Sequence, residues 1–516
     1  MRHLPLIAGF GHLSLLTRSA SAVDANPSTY LTVLKTLKAG DTMNLEPGTY
    51  TGQLQISDLN GTAAAPIVID GPESAIFTAN NCCNTVELMN SSYVTVRGFT
   101  VDGTGTDGPF GVSAKGGASN FTHHITVDGL TIKGYGAGQQ SVGISTKTPT
   151  WGWVIRRNRI IGAGTGIYLG NSDGSAAFFD GIVEGNLIQD PEGYCMEIKY
   201  QTPRPSRAGQ PEADARTIVR HNVFLKTDRP SGDGDRPNLL VGGFPDSGPG
   251  TNDRYEIYGN FFFHNPRESL LQASGRVSIH DNIFVDVAGT AILLANHDLP
   301  LKLAEVYNNT IYAAGTGIRF GNAAPGGDGV IGNLVFATAG IAGPIANKKD
   351  NLELARTDAP TMVKLPSTVL GAMDFYPLAG KCTGTALDLA SISGDIARDV
   401  DFNGTAKTPP IYRGAYHGSG MNPGWALAAG LKDLPPGERG SDAGVSADGG
   451  TVAGDAGDAG DAGDAARGGD TRTGGDTGGC NCTAAGRKGG PPPDILALLA
   501  VTACCIGASR RVRRAG

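Results

Sequence analysis

The sequence predicts an all-β fold in which many short parallel strands stack into a solenoid. A short motif recurs along the body of the chain, with an apolar β-former, two variable residues, an asparagine in most copies, one variable residue and a second apolar β-former. Glycine accounts for 77 of the 516 residues, whereas charged residues make up 18% and aromatic residues 7%. This composition suits many tight turns and disfavours long helices, because glycine is costly inside a helix.

The motif occurs nine times, at intervals of 22 to 38 residues. The copies are residues 96–101, 127–132, 155–160, 183–188, 219–224, 257–262, 279–284, 306–311 and 330–335. Each copy alternates apolar and polar residues, which predicts a strand with one buried face. A second short strand usually follows, so strand, turn, strand and turn form one coil, and stacked coils bury a shared core. We expect about nine to eleven coils over residues 45–345.

The recurring asparagines are predicted to be structural. Side-chain amides at one position of every coil can stack as a ladder, each bonded to the next coil. We therefore assign none of these asparagines to catalysis.

The N-terminal residues predict export. Residues 1–22 have a basic start, an apolar stretch and the cleavage pattern Ala20-Ser21-Ala22, as in a secretory signal peptide. We expect the solenoid domain to occupy residues 23–345 and a C-terminal cap to occupy residues 346–436.

The C-terminal residues predict retention at the cell surface. Residues 437–479 are nearly all Gly, Asp, Ala, Ser and Thr, which predicts a disordered linker. Residues 480–516 hold a Cys-Asn-Cys segment, an apolar run and four arginines, and they resemble the C-terminal sorting signal of myxobacterial surface proteins. The resemblance implies an outer-membrane or cell-surface location, with membrane contact only through this segment.

The charge of the chain argues against a nucleic-acid partner. The net charge is −7 overall and −8 over residues 23–436, which gives no basic footprint. Export permits disulfides, but the pairing of the four cysteines in the body stays open. They are Cys82, Cys83, Cys195 and Cys382. No Cys-x-x-Cys or His/Cys cluster predicts zinc, and we expect a monomer.

Three stretches resemble a known superfamily. Residues 37–50, residues 66–71, and residues 401–404 with 413–416 are similar to the first coils and the C-terminal end of the right-handed parallel β-helix superfamily of pectate lyases and chondroitinase-B-like lyases. The resemblance covers roughly residues 30–420. It implies a right-handed helix and a polysaccharide ligand.

Polar insertions interrupt the coils after Lys199, Phe224 and Gly242. Functional residues collect on such loops, and here the loops are predicted to wall a cleft over the second strands. Aligning those strands by their buried residues places several polar side chains on that outer face. They are Lys115, Lys147, Tyr168, Glu197 and Lys199, and we add Arg204 and Arg236 from the insertions as substrate-binding candidates. A solvated face whose lysines merely discourage association is an equally good interpretation.

The lysines fit one reaction class, the β-elimination of uronic acid polymers. A lysine with a lowered pKa can remove the proton next to the carboxylate, and a cation must neutralise that carboxylate. Residues 195–199 resemble the strand that ends in the catalytic lysine of related lyases, which implies that Lys199 is the base. Arg220 or His221 would assist. Glu197, Asp233 and Asp235 are candidate calcium ligands.

Two alternatives stay open. A non-catalytic carbohydrate-binding module or adhesin would use the same long face, although in this register only Tyr168 offers an aromatic ring. A glycoside hydrolase needs two opposed carboxylates. The Asp-Asp pair and Gly-His-Gly segment of polygalacturonase-type enzymes are absent from the sequence, and residues 204–207 have the wrong spacing for an Arg-x-Pro-x-x-Arg motif. We favour an enzyme of the lyase type.

Overall fold

A computed structural model describes residues 20–80, 84–116, 120–211, 214–392 and 394–435. Within this part of the chain each coil contributes one strand to each of three long parallel sheets, which makes a right-handed parallel β-helix. The predicted fold class is confirmed. The third sheet contains 11 strands, one for each complete coil in the described residues, in agreement with the predicted number.

Sheet 1 contains the strands that precede the asparagine of the motif. Its main path is Ala22–Ala25, Thr42–Leu45, Ile67–Asp70, Ser92–Arg97, Thr122–Asp128, Val154–Arg156, Ile182–Glu184, Arg216–Arg220, Arg254–Tyr258, Gly275–His280, Leu301–Tyr307, Asp328–Ile331 and Lys348–Lys349. Two short strands, Thr150–Trp151 and Phe178–Phe179, extend it at one edge.

Sheets 2 and 3 complete each coil. Sheet 2 follows the asparagine and consists of Gly48–Tyr50, Ala75–Thr78, Thr100–Asp102, Thr131–Lys133, Arg159–Ile161, Leu187–Gln189, Val223–Leu225, Phe261–Asn265, Ile283–Val287, Thr310–Tyr312, Leu334–Phe336 and Leu352–Leu354. Sheet 3 consists of Leu54–Ser57, Val86–Met89, Val112–Ala114, Val142–Thr146, Thr165–Leu169, Met196–Ile198, Leu239–Val241, Leu271–Ala273, Thr290–Leu294, Thr316–Phe320 and Ala339–Ala342.

An asparagine ladder runs along the turn between sheets 1 and 2. Each amide nitrogen donates to the amide oxygen of the next coil, for example from Asn222 to Asn260 at 3.0 Å and from Asn260 to Asn282 at 2.9 Å. The same nitrogen also donates to a backbone carbonyl, as Asn260 does to Val219 at 2.8 Å. The predicted structural role is confirmed. The ladder comprises Asn158, Asn186, Asn222, Asn260, Asn282, Asn309, Asn333 and Asn351.

The first coil is covered by a short helix, Tyr30–Leu34, whose Tyr30 ring packs edge-on against Tyr50. Before it, Ala22–Ala25 pairs with Thr42–Leu45, so the predicted boundary after residue 22 falls inside the first strand. Residues 1–19 lie outside the described residues, and loss of a signal peptide stays a prediction.

The C-terminal segment was predicted to cover the last coil, but it covers several earlier coils as well. It contains an antiparallel pair, Val363–Leu365 with Asp374–Pro377, and two short 3-10 helices, Arg356–Thr361 and Ala390–Ile392. Its apolar side chains pack along the outer face of sheet 2 as far back as Leu187. The reason is that sheet 2 carries outward apolar residues in many coils, which need a cover.

The cysteines that can be placed are not paired with each other. Cys195 is buried in the core beneath sheet 3, whereas Cys382 is buried with the C-terminal segment, and both are free thiols. Cys82 and Cys83 lie outside the described residues. So do the predicted linker, residues 437–479, and the predicted sorting segment. No helix of the described part is long and apolar enough to cross a membrane.

Candidate functional site

The outer face of sheet 3 carries the predicted column of polar side chains. Ser113 pairs with Ser145, Ser145 with Tyr168, and Tyr168 with Glu197, so these residues stand at the same position of successive coils. Two residues further along each strand lie Lys115, Lys147, Gly170 and Lys199. Because parallel strands are about 4.8 Å apart, Lys147 and Lys199 start about 10 Å from each other. The alignment made from the sequence is correct here.

Lys199 lies between two carboxylates. Its Nζ atom is 3.2 Å from Glu197 Oε1 and 3.6 Å from Asp298 Oδ2. The side chains of Lys199 and Glu197 are only 13% and 4% exposed. Burial raises the pKa of Glu197, against the opposite effect of the Lys199 ammonium. Glu197 thus shares a nearly enclosed site with the Lys199 ammonium.

Lys147 occupies a different environment on the same face. Its Nζ atom lies 3.8 Å from the centre of the Tyr168 ring and 3.5 Å from the carbonyl oxygen of Gly170. Burial lowers the pKa of Lys147 to about 8; Glu197 opposes this effect, and the positive charge of Lys199 adds to it. Burial also raises the pKa of Tyr168, which stays a phenol. A lysine that can lose its proton near neutral pH therefore lies next to a phenol that is protonated at that pH.

Two sets of insertions flank this face. Residues 226–238 lead into sheet 3 and bend over earlier coils, where Arg229 Nη2 donates to the Gly136 carbonyl at 3.1 Å. Residues 199–211 leave sheet 3 and cover the opposite border, where the guanidinium of Arg207 lies 3.6 Å from the centre of the Phe121 ring. Two of the three predicted insertions thus border the outer face of sheet 3.

Arg236 reaches the site from the first of these insertions. Its guanidinium carbon is 5.7 Å from the centre of the Tyr194 ring, and its charge lowers the pKa of Glu197. It also helps to lower the pKa of His297, although burial is the main cause. We call Lys147, Tyr168, Glu197, Lys199 and Arg236 the sheet-3 cluster.

Tyr194, His297 and Asp298 were missed in the sequence. Tyr194 comes just before the strand Met196–Ile198, and burial raises its pKa. His297 Nε2 is 3.6 Å from Asp298 Oδ2, the same oxygen that Lys199 approaches. A signal for them existed, because His297-Asp298 is a polar turn that follows a sheet-3 strand, as the insertion after Lys199 does.

Arg204 does not belong to the site. Its side chain is 2% exposed and forms an ion pair with Asp253, which is equally buried. Its guanidinium carbon also stacks 3.8 Å from the centre of the Phe179 ring. The prediction of a substrate-binding role is corrected, because a guanidinium enclosed by a carboxylate and an aromatic ring holds the insertion in place. Lys115 does lie on the face, but it pairs with Glu87 at 2.8 Å, away from the cluster.

Arg220 and His221 do not approach Lys199 either. Arg220 ends a strand of sheet 1, where its Nη2 atom is 2.7 Å from Glu184 Oε2. His221 lies in the turn to sheet 2, with Nδ1 3.1 Å from Lys432 Nζ. The expectation that they assist Lys199 is corrected. The chain has left sheet 3 by the time it reaches residue 216, so nearness in sequence does not become nearness in space.

The three candidate calcium ligands do not form a cluster. Glu197 is paired with Lys199, whereas Asp233 and Asp235 lie on the insertion, where Asp235 Oδ1 is 3.7 Å from Arg267 Nη1. Over the described residues no group of three or more His, Cys, Asp or Glu side chains could hold a metal ion. These residues do not fit a preformed calcium site.

Comparison with known proteins finds only distant structural similarity. No protein-family model matches the chain, and no curated protein matches it in a sequence search. An alginate lyase from Paenibacillus sp. aligns with a TM-score of 0.44 and 18% identity, over 62% of this chain and 99% of that chain. A pectate lyase, Pel9A, aligns with a TM-score of 0.44 and 12% identity, over 80% and 96%. A lacto-N-biosidase from Eubacterium ramulus aligns with a TM-score of 0.39 and 11% identity, over 65% and 68%. Likeness at this level carries no argument about substrate or reaction.

Proposed function

We propose that the sheet-3 cluster binds a polysaccharide that contains uronic acid and cleaves it by β-elimination. The observation that carries the proposal is Lys147, a lysine whose pKa is lowered to about 8, beside Tyr168 on a face that two insertions enclose. A base must be free of its proton before it can accept one, so a lysine of this kind is suited to proton abstraction near neutral pH.

The side chains of the cluster have complementary roles in this reaction. Lys147 takes the proton from the carbon next to the uronate carboxylate. The carbon–carbon double bond forms as the bond to the leaving glycosidic oxygen breaks, and the Tyr168 hydroxyl protonates that oxygen. Lys199 and Arg236 are the cations that face the substrate carboxylate and make the carbanion-like state accessible. The proton on Lys147 then returns to Tyr168 through solvent.

This assignment moves the role of base from Lys199 to Lys147. The sequence offered both lysines in one column and favoured Lys199 through a resemblance. The ion pairs of Lys199 with Glu197 and Asp298, at 3.2 and 3.6 Å, favour a charged partner for the substrate. Either lysine would act on the same face of sheet 3. The single variants Lys147→Met and Lys199→Met can show which of the two is the base.

The test is a panel of pectate, alginate and glycosaminoglycans, incubated with the purified protein with and without calcium. The readout is the ultraviolet absorbance of unsaturated uronate products. We expect product from at least one polymer and a loss of about 10²- to 10⁴-fold in Lys147→Met. The matched control is Lys133→Met, a lysine of sheet 2 that is 49% exposed, and it should keep wild-type activity.

A failure of this test would have a clear meaning. If no uronate polymer gives product but one of them binds, and Lys147→Met and Lys199→Met weaken that binding, the face is a non-catalytic carbohydrate-binding surface. If product forms at equal rates in wild type and Lys147→Met, the base is elsewhere and the assignment is wrong.

Export and surface retention are part of the proposal. A signal at residues 1–22 and a sorting segment at residues 480–516 would place the enzyme on the outside of the cell, where acidic polysaccharides are accessible. Deleting residues 480–516 should release the protein into the medium. A truncated protein that stays bound to cells as strongly as the full chain would contradict this location.

A further inference from the structure

A second groove lies on the outer face of sheet 1, away from the sheet-3 cluster. It encloses a cavity of about 320 Å³. Its floor is formed by outward residues of six successive coils, which stand in register with one another. They are Val68, Thr95, Thr126, Val154, Ile182 and Ile218. Five strand spacings give the floor a length of about 24 Å. We call this the sheet-1 groove.

One wall of the groove is a row of alternating charges. Arg97 lies 2.7 Å from Asp70, and Arg156 lies 3.0 Å from Asp128. The next acidic residue in the row is Glu184. Because each basic residue is matched by an acidic neighbour, the wall offers hydrogen-bond donors and acceptors but little net charge. Such a surface does not favour a polyanion.

The opposite wall combines two stacked rings with a glycine. The rings of Tyr93 and His124 stack with centres 4.4 Å apart and an angle of 12° between their planes. The next residue in register is Gly152, where an added Cβ atom would lie 2.9 Å from His124 Cδ2, and where φ is +64°. Both the space and the backbone conformation require glycine. The imidazole ring of His124 is therefore packed between the Tyr93 ring and the backbone of Gly152.

Asp180 lines the same wall on the coil after Gly152. Its carboxylate has no hydrogen bond or ion pair with any described residue, and burial raises its pKa to about 6. An unpaired carboxylate that is partly removed from water needs donors, which sugar hydroxyls supply. Beyond it the C-terminal segment closes the groove, since Arg216 Nη1 donates to the Gly394 carbonyl at 2.9 Å.

We propose that the sheet-1 groove binds a neutral oligosaccharide. One sugar ring packs against the Tyr93 and His124 rings where they line the groove, and its hydroxyls bond to Asp180 and to the Arg156–Asp128 pair across the floor. The mixed apolar and threonine floor fits the alternating apolar and polar faces of a neutral glycan chain. Because the charges along the sheet-1 groove are balanced, its ligand should be neutral, unlike the acidic polymer proposed for sheet 3. The site goes beyond the proposed function and does not depend on it.

The experiment is titration calorimetry of the full-length protein with neutral hexasaccharides of glucose, xylose and mannose, and with hexagalacturonate. We expect at least one neutral hexasaccharide to bind, and affinity to fall at least about tenfold in His124→Ala and in Asp180→Asn. His264→Ala, a histidine on sheet 2, is the matched control and should bind as wild type does. Lys147→Met should also keep the neutral ligand.

Three results would overturn the inference. They are the absence of binding by all neutral hexasaccharides, equal affinity in wild type and both groove variants, or loss of the neutral ligand in Lys147→Met, which would move its site to sheet 3. A thermal melt of each variant checks the fold. Should His124→Ala melt early, Asp180→Asn alone decides, because a carboxamide keeps the shape of the side chain.

Discussion

The asparagine ladder and the sheet-3 cluster both place polar side chains on successive coils, but the ladder repeats one residue type and the cluster does not. In the ladder one residue type recurs, and each amide is bonded to the next, as Asn222 is to Asn260 at 3.0 Å. On sheet 3 the residue changes from Tyr168 to Glu197 within one coil, and lysines and carboxylates crowd together. Repetition with complete hydrogen bonding builds the solenoid. Departure from repetition marks the face where side chains can serve a ligand.

The largest effect should come from Arg204, a buried arginine whose role is structural, as is that of the ladder asparagines. Arg204→Ala leaves the Asp253 carboxylate buried without its partner, so we expect the free energy of unfolding to fall by about 3–5 kcal/mol. Arg236→Ala is the matched variant on the neighbouring insertion, and it should change stability by less than about 1 kcal/mol while weakening substrate binding. Urea unfolding and the KM for the uronate polymer measure the two effects.

The variants Arg204→Ala and Arg236→Ala also test the distinction between structural and functional polar side chains. If Arg204→Ala unfolds like wild type and loses activity, Arg204 is a functional residue after all, and the division between structural and functional polar groups fails at this insertion.

The ladder should be most sensitive in its middle. Asn260→Ala removes the acceptor of Asn222 and the donor to Asn282, both inside a dry turn, and should cost about 3 kcal/mol. Asn351 lies at the end and is partly exposed, so Asn351→Ala should cost about 1 kcal/mol. Melting temperatures of the two variants compare the positions directly. Equal losses would show that the ladder is not cooperative along its length.

The smallest effect is expected for Lys115. It stands in the same column as Lys147 but is 39% exposed and paired with Glu87. Lys115→Ala should change the rate on a uronate polymer by less than about twofold, since Lys115 pairs with Glu87 and not with a residue of the sheet-3 cluster. A loss comparable to that of Lys147→Met would extend the active face one coil further than the sheet-3 cluster.

The sequence was sufficient for the features that repeat. The alternation of Ile155, Ile160 and their counterparts fixed the strand faces, and the seven asparagines of the motif mark the ladder. The column from Ser113 to Lys199 followed, because alternation sets which side chains point outward.

What the sequence did not give depends on the paths of loops. Arg204 and Arg236 both sit on polar insertions, yet one is buried against Asp253 and the other faces the cluster. His297 and Asp298 lie about 100 residues after Lys199 in the chain and meet it only because coils stack. The different partners of Lys147 and Lys199, an aromatic ring and two carboxylates, are likewise set by tertiary contacts.

The pH dependence of β-elimination tests the central claim most directly. In the proposed mechanism the neutral form of Lys147 is the base. Its pKa is lowered to about 8, so kcat/KM should rise as pH increases through about 8 and level off above it. The same rise should persist, at lower amplitude, in Lys199→Met, with its midpoint moved upward because the positive charge of Lys199 helps to keep the pKa of Lys147 low. A rise that disappears in Lys199→Met, or full activity in Lys147→Met at every pH, would contradict the account.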